Sequence, residues 1–444
     1  MLHRVLPPHP MLAFLLLACT ETAPAPSSAD TAEIPDSGTL ADPAELAPGP
    51  ACPHPANLYD PTCVVRYDIA VAEADWAAMQ TAYDKAVANC WDTAHVRDKY
   101  PATLTYGAES IDVGIRLKGN ACTFLPGGKL QFRIDVDWVN PEATFHGVTS
   151  INLEAANYDP TGQKNGLAYS VFREVGIVSP EANFATLYVN GDFYAAYENI
   201  EQINGHFLDR HYEDDTGNLY FFIWDGHYGE LRTNEEIGDV SRWTELESLV
   251  SATPDSVSWA EFEARIPTLI DVDELLLALA TEAVVPQVDG VWAGSANCYV
   301  YDNPLGCGGT GCFEYLPWDM DSAFVAPPLD LCPACGSSPE TEEADPITFI
   351  SGRGPARKWR LFDLLMEVPD RRSQFVDDLA VVLDTAYDPA TLEARHAERF
   401  AQLEPWNQLD PKVDYARFVE SNAELSALFA DRRAFLETWI AANR

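Results

Sequence analysis

The sequence predicts an α+β fold, with strands gathered in its N-terminal half and helices in its C-terminal half. Three observations carry this reading. Apolar and polar residues alternate with period two in several runs between Val64 and Asn152. The pair Asn190-Gly191 separates two apolar runs, the strongest short-range hairpin signal. Beyond Asp271 the apolar period changes to 3.6, which only a helix can present on one face. No internal repeat is present.

Taken in order, Val64–Val71 (VVRYDIAV) and Ile111–Lys118 (IDVGIRLK) alternate, and Leu130–Val136 (LQFRIDV) follows a Gly127-Gly128 turn. Trp76, Met79 and Tyr83 recur at helical spacing and predict a helix after the first strand. Leu167–Val175 is expected to be a helix stopped by Gly176 just past its end. Phe184–Val189 and Phe193–Ile203 flank the Asn-Gly turn as paired strands. Asp271–Val285 is the clearest apolar helix, and stretches 358–384, 390–402 and 420–442 fit the same period. Strands Asn297–Tyr301 and Phe313–Pro317 lie between them.

Residues 1–18 read as an export signal: His3 and Arg4 precede the apolar run Met11–Ala18, which is too short to span a bilayer. Leu16-Leu17-Ala18-Cys19 resembles the bacterial lipobox, which makes Cys19 the expected lipidation site; the alternative is an ordinary secretory peptide cleaved after Ala18. An exported lipoprotein at the envelope or outer surface is expected, touching membrane only through that anchor. Residues 19–50 are rich in Ala, Pro, Ser, Thr and acidic residues and read as a disordered tether. The body then divides into a strand-rich part (51–205) and a helical part (206–444).

Acidic residues outnumber Lys and Arg by 69 to 28, a net charge of −41. That balance excludes a polybasic nucleic-acid or anionic-lipid surface. Apart from Cys19 there are nine cysteines, an odd number that leaves at least one thiol outside intramolecular pairs. Cys307 and Cys312 flank a Gly-rich loop and Cys332–Cys335 form a Cys-x-x-Cys. Disulfides are the expectation for an oxidising compartment, with a four-cysteine zinc site as the alternative.

The chemistry-bearing stretch is Pro317-Trp318-Asp319-Met320-Asp321. On a strand, residues i and i+2 share a face, so both carboxylates can reach one hard cation; a solvated acidic turn or a calcium loop is the alternative. Upstream lie Asp289-Gly290 and, eight residues on, Asn297. Asp289, Asn297 and Asp319 follow the order base, Asn ligand, Asp ligand that phosphoryl transfer uses in protein kinases.

Several segments, in one order from Tyr67 to Phe324, resemble the CotH-type (spore coat protein H) kinases. They are Arg116-Leu117-Lys118-Gly119-Asn120, Lys129–Ile134, the helix from Leu167 to Gly176, the hairpin from Leu187 through Tyr197 to Ile203, and the Asp289, Asn297 and Trp318-Asp319 segments. The chain departs from the family's paired lysines at Lys129-Leu130 and carries Lys164-Asn165-Gly166 where an Arg-Glu-Lys is usual. The Cys307–Cys312 loop looks like an insertion.

The resemblance implies a two-lobed, protein-kinase-like fold with ATP and Mg²⁺ or Mn²⁺ in the cleft between lobes. It implies Asp289 as catalytic base, Asn297, Asp319 and Asp321 on the metal, and Glu201, Gln202 and Ile203 at the purine. Lys118 or Lys129 would meet phosphate, and pattern does not choose between them. The expected activity is transfer of the ATP γ-phosphate to Ser or Thr of an envelope or surface protein by a monomer. The alternative is a weakly active or inactive surface module, an adhesin or structural protein; a metal-assisted hydrolase built on Asp319 and Asp321 is a third reading. His206 and His211 are expected on an ordinary surface helix, and Trp292 and Trp318 in core or cleft wall.

Overall fold

The computed structural model describes residues 52–89, 92–119, 123–222, 229–294, 297–324, 343–349 and 359–444. Cys19 and the export signal, the tether, and the Cys332–Cys335 pair lie outside them.

Seven strands close into a barrel: β1 (Val64–Val71), β2 (Tyr100–Tyr106), β3 (Glu109–Leu117), β4 (Phe132–Asp135), β5 (Ser150–Glu154), β6 (Ala182–Val189) and β7 (Asp192–Ile200). Their order around the barrel is β1-β2-β3-β4-β5-β7-β6, closed by the parallel pair β1–β6. Alternation aims one face of each strand inward. Val65, Tyr67 and Ile69 of β1 meet Leu104, Ile115, Phe132, Ile134, Ile151, Leu153 and Leu187 in the barrel core. Helix α1 (Glu73–Ala88) covers one side with Met79 and Tyr83, and Trp76 stacks on Phe132. The β6–β7 hairpin turns at Asn190 (φ +53°) and Gly191 (φ +97°); the Asn190 side chain also accepts the Val71 N–H at 2.9 Å. Left-handed backbone at both positions is why Asn-Gly is used there.

Helix α2 (Lys164–Glu174) precedes β6, and α3 (Gly205–His211) follows β7. A second sheet, ordered β11-β10-β8-β9, comprises β8 (Leu219–Phe222), β9 (Glu230–Leu231), β10 (Cys298–Asn303) and β11 (Cys312–Pro317). The second core forms around α4 (Ser241–Ala252), α5 (Trp259–Arg265) and especially α6 (Val272–Val284), where ten of thirteen residues are buried. Asp271 caps α6 by accepting the Glu274 N–H at 3.0 Å. Helices α7 (Arg360–Glu367), α8 (Pro369–Thr385), α9 (Pro389–Leu409) and α10 (Tyr415–Asn443) complete the chain.

The α+β expectation holds: the barrel occupies the N-terminal half and helices dominate the C-terminal half. Strands β2, β5, β8 and β9 and helices α4 and α5 went unread. Strands β5, β8 and β9 are short, and β5 is buried on both faces, so no alternation marks it, whereas β2 alternates over Ala102–Tyr106 and was legible. The strand expected to reach Ile203 ends at Ile200, and stretch 358–384 splits into two helices at Val368-Pro369, where proline cannot continue the hydrogen-bond ladder. Cys307–Cys312 and Cys52–Cys63 are disulfides, so Cys307 and Cys312 hold no zinc; Cys298 is a buried free thiol.

Candidate active site

The site begins with a turn. Strand β11 ends at Pro317, and Asp319 adopts a left-handed conformation (φ +58°) before a single 3₁₀ turn, Met320–Ser322. The two aspartates are therefore not brought together by strand alternation, as expected from spacing, but by a backbone reversal that Asp tolerates better than most residues. Three groups hold that reversal. The Tyr169 hydroxyl accepts the Asp319 N–H at 3.1 Å, and Gln287 Nε2 donates to the Asp319 carbonyl at 2.8 Å. Asn165 Oδ1 accepts the Met320 N–H at 2.8 Å.

Asn165 is itself oriented. Its Nδ2 donates to Glu198 at 3.0 Å, and Glu198 also accepts the Gly166 N–H at 3.1 Å and Arg399 Nη2 at 2.8 Å. A β-carbon at Gly166 would lie 2.2 Å from the Arg399 guanidinium, so any side chain there has to push Arg399 away from Glu198. The Lys164-Asn165-Gly166 segment thus clamps the aspartate turn, a role invisible without the fold. Burial, opposed by Arg399, pushes the Glu198 carboxyl up to about 7.

The second loop follows α6. Asn297, also left-handed (φ +62°), donates through Nδ2 to Asp289 Oδ2 at 2.9 Å and to the Asp289 carbonyl at 3.1 Å. That orientation leaves Oδ1 as its acceptor toward the cleft it lines. Buried Glu282 fixes the loop from beneath, accepting the Trp292 N–H at 2.7 Å and the Tyr315 hydroxyl. Trp292 is wholly buried as expected, with its indole N–H on the Pro346 carbonyl.

Both loops open onto a cleft of about 410 Å³ between the outer face of β3–β5 and the second sheet. Asn297, Asp319 and Asp321 line it, with Lys118, Glu154, Gln202 and Ile203. Lys118 and Glu154 form an ion pair on the barrel wall. Burial first, then the charges of Asp319, Glu154, Asp289 and Asp159, holds the Asp321 carboxyl well above the ordinary range. Carboxylates that repel one another at this depth, together with the Asn297 amide, offer oxygen donors of the kind a hard dication takes, and such an ion would relieve the repulsion.

The remaining sequence candidates divide. Lys118 lies in the cleft, whereas Lys129 does not: its buried ammonium donates to the Ala196 carbonyl at 2.8 Å and sits over the Tyr197 ring. Gln202 and Ile203 line the cleft, but the Glu201 carboxylate turns away to Arg210 (2.6 Å) and His211 (3.2 Å). His211 is therefore a hydrogen-bond partner of Glu201 on α3. Trp318 lines the cleft, one of the two places expected for it; missed in the sequence were its aromatic neighbours Phe221 and Tyr299, with centroids 4.6 Å apart, and the arginines Arg97, Arg116, Arg133 and Arg232. Alternation was the available signal for two of them, since Arg116 shares a strand face with Lys118 and Arg133 with Gln131.

Asp289 does not line the cleft itself and reaches it through Asn297. A barrel and a helical half sharing a cleft lined by Asn297, an Asp-x-Asp turn and a Lys–Glu pair define an α+β protein of two-lobed, kinase-like build. The chain belongs to the CotH family: the family model described as CotH kinase protein matches residues 115–443. That match starts within β3, later than the sequence resemblance, and runs on through α10. A relative, the inner spore coat protein H of Bacillus subtilis (strain 168), is 27% identical over 248 residues, 53% of this chain and 64% of the relative. The chain thus spans a little under two thirds of that relative's length.

Proposed function

We propose that this chain is a metal-dependent phosphotransferase that moves the γ-phosphate of ATP to a Ser or Thr hydroxyl of an envelope or surface protein. The observation that supports it best is the convergence of Asn297, Asp319 and Asp321 with the Lys118–Glu154 pair around one cleft, with Asp289 hydrogen-bonded to Asn297. Asn297 Oδ1, Asp319 and Asp321 would hold Mg²⁺ or Mn²⁺, which supplies charge neutralisation at the phosphates when bound.

The protein's own groups then have separable tasks. Asp289, oriented by Asn297 Nδ2, accepts the proton of the incoming hydroxyl as its oxygen bonds to phosphorus and ADP departs. Lys118, held by Glu154, meets phosphate oxygens as a point charge. Phe221, Tyr299 and Trp318 offer an aromatic wall for the purine beside Gln202 and Ile203, and Gln202 Nε2 fixes the Tyr299 hydroxyl at 3.1 Å. The clamped left-handed turns keep the carboxylates in place before any ligand arrives.

The test is thermal unfolding of the full chain with ATP and Mg²⁺ or Mn²⁺. A metal-dependent rise, lost in Asp319→Ala, is expected, since a ligand that binds only the folded state stabilises it. No rise at millimolar ATP would refute the nucleotide reading. A second reading, a surface module that keeps the fold for binding, is favoured by the coat-protein name of the relative. That name also supports a surface location here. Export and lipidation at Cys19 belong to the same proposal, and mass spectrometry of the mature N-terminus tests them.

A further inference from the structure

The barrel wall of the cleft carries a second constellation of opposite charge. Register pairs Arg116 with Arg133 across β3–β4, and Arg133 with Asn152 across β4–β5. The three side chains form a row one same-face step, ~6.6 Å, along the strands from Lys118, Gln131 and Glu154. Arg97 joins them at the cleft wall.

This row is short of negative charge. Asp135 meets Arg133 Nε at 2.8 Å, Lys99 Nζ at 2.9 Å and Arg116 Nε at 3.4 Å. Three cations against that one carboxylate leave an excess of two positive charges (3 − 1). Because Asp135 engages both arginines through Nε, their terminal nitrogens are left for other acceptors; one, Arg116 Nη1, meets the Leu117 carbonyl at 3.2 Å. Burial and then the Arg133 charge depress the Arg116 pKa, as expected of cations crowded together.

Asn152 supplies an independent sign. It is 1% exposed, lines the cleft, and its Nδ2 has no hydrogen-bond partner among the described residues. Buried donors are seldom left unpaired unless a ligand or water completes them. In a chain of net charge −41, the excess positive charge around Arg116 and Arg133, beside an unpaired donor on the same cavity wall, suits an anion.

We infer that Arg97, Arg116, Arg133 and Asn152 form an anion subsite for a phosphate-type oxyanion, separate from the carboxylate end of the cleft. Arginine forks match phosphate oxygens in pairs, and a phosphomonoester of charge about −2 balances the excess. The inference extends the nucleotide reading of the same cleft and fails separately from it. Its source is either the nucleotide's own phosphates or a phosphate on another ligand.

The test follows unfolding of the full chain in EDTA against inorganic phosphate, at ionic strength held constant with chloride. A saturable rise in Tm is expected, retained in Asp319→Ala and weakened about tenfold or more in Arg133→Gln and in Asn152→Asp. The aspartate is nearly isosteric and places a carboxylate opposite Arg133, so it tests charge without removing bulk. No saturable response, or an equal response in both variants, overturns the subsite. Adding Mg²⁺ and ATP then separates the sources: competition assigns the subsite to the nucleotide's phosphates, additivity to a second phosphate-bearing ligand, and either supports it. A phosphate response without any response to metal and ATP would sink the nucleotide reading alone.

Discussion

Asp289 and Asp319 differ in what their loss should do. Asp289→Asn preserves shape and still meets Asn297, so phosphoryl transfer should vanish while Tm changes little and the response to metal and ATP persists. Equal transfer by wild type and variant would remove Asp289 as the base. The two lysines give a sharper comparison. Lys118→Met should abolish the response to ATP, whereas Lys129→Met, outside the cleft, should leave it intact. Isothermal titration of both variants checks this, and the reverse result would exchange their roles. The family resemblance named both lysines and pattern did not choose; the direction of Lys129 toward the Ala196 carbonyl separates them. Glu201 was equally legible by position, yet its carboxylate, just past the end of β7, pairs with Arg210 of α3.

At the scale of elements, α2 and α9 hold the metal-type turn. Asn165→Leu keeps the volume but removes the acceptor for the Met320 N–H and the donor to Glu198. Mn²⁺ affinity, read by its thermal shift, should fall about 10–100-fold, the usual cost of losing a group that orients ligands. Gly166→Ala should destabilise the fold by about 1–3 kcal/mol through the clash with Arg399, measurable as a lower urea midpoint. Helix α6 carries a pH-linked group. Burial pushes the Glu282 carboxyl up to about 7, against an ordinary glutamate value near 4.5. Between those values the folded chain holds a proton that the unfolded chain has released, so stability falls as pH rises through that window. The fall is on the order of 3 kcal/mol, and constant above it. Glu282→Gln should remove this contribution, leaving the like-signed ones from Glu198 and Asp378, both also pushed up to about 7. Urea midpoints from pH 5 to 8 that stay parallel in wild type and variant would contradict it.

For the whole molecule, the barrel and the helical half are stitched rather than merely joined. Helix α9 lays Leu403 against Phe184 and Val64 on the barrel's outside, and its Arg399 reaches the Glu198 network. Net charge acts at this scale too. With −41 charges in one chain, self-repulsion opposes folding, so raising NaCl from low to physiological strength should raise the Tm of the ligand-free chain. The same salt should weaken phosphate binding at the arginine row. A Tm that falls with salt would mean that paired charges, not repulsion, dominate.

The sequence by itself determined the α+β class, the Asn-Gly hairpin and the central helix after Asp271, and it put forward Asp289, Asn297, Asp319 and Asp321 as candidates. These are local matters: period, turn chemistry and a short motif each act within a few residues. Only the tertiary structure decided how the two aspartates face one cleft, which lysine enters it, and that arginines from β3, β4 and the loop before β2 converge there. Strand register and barrel closure bring together residues far apart in the chain, and no local pattern records where a side chain from one element meets another.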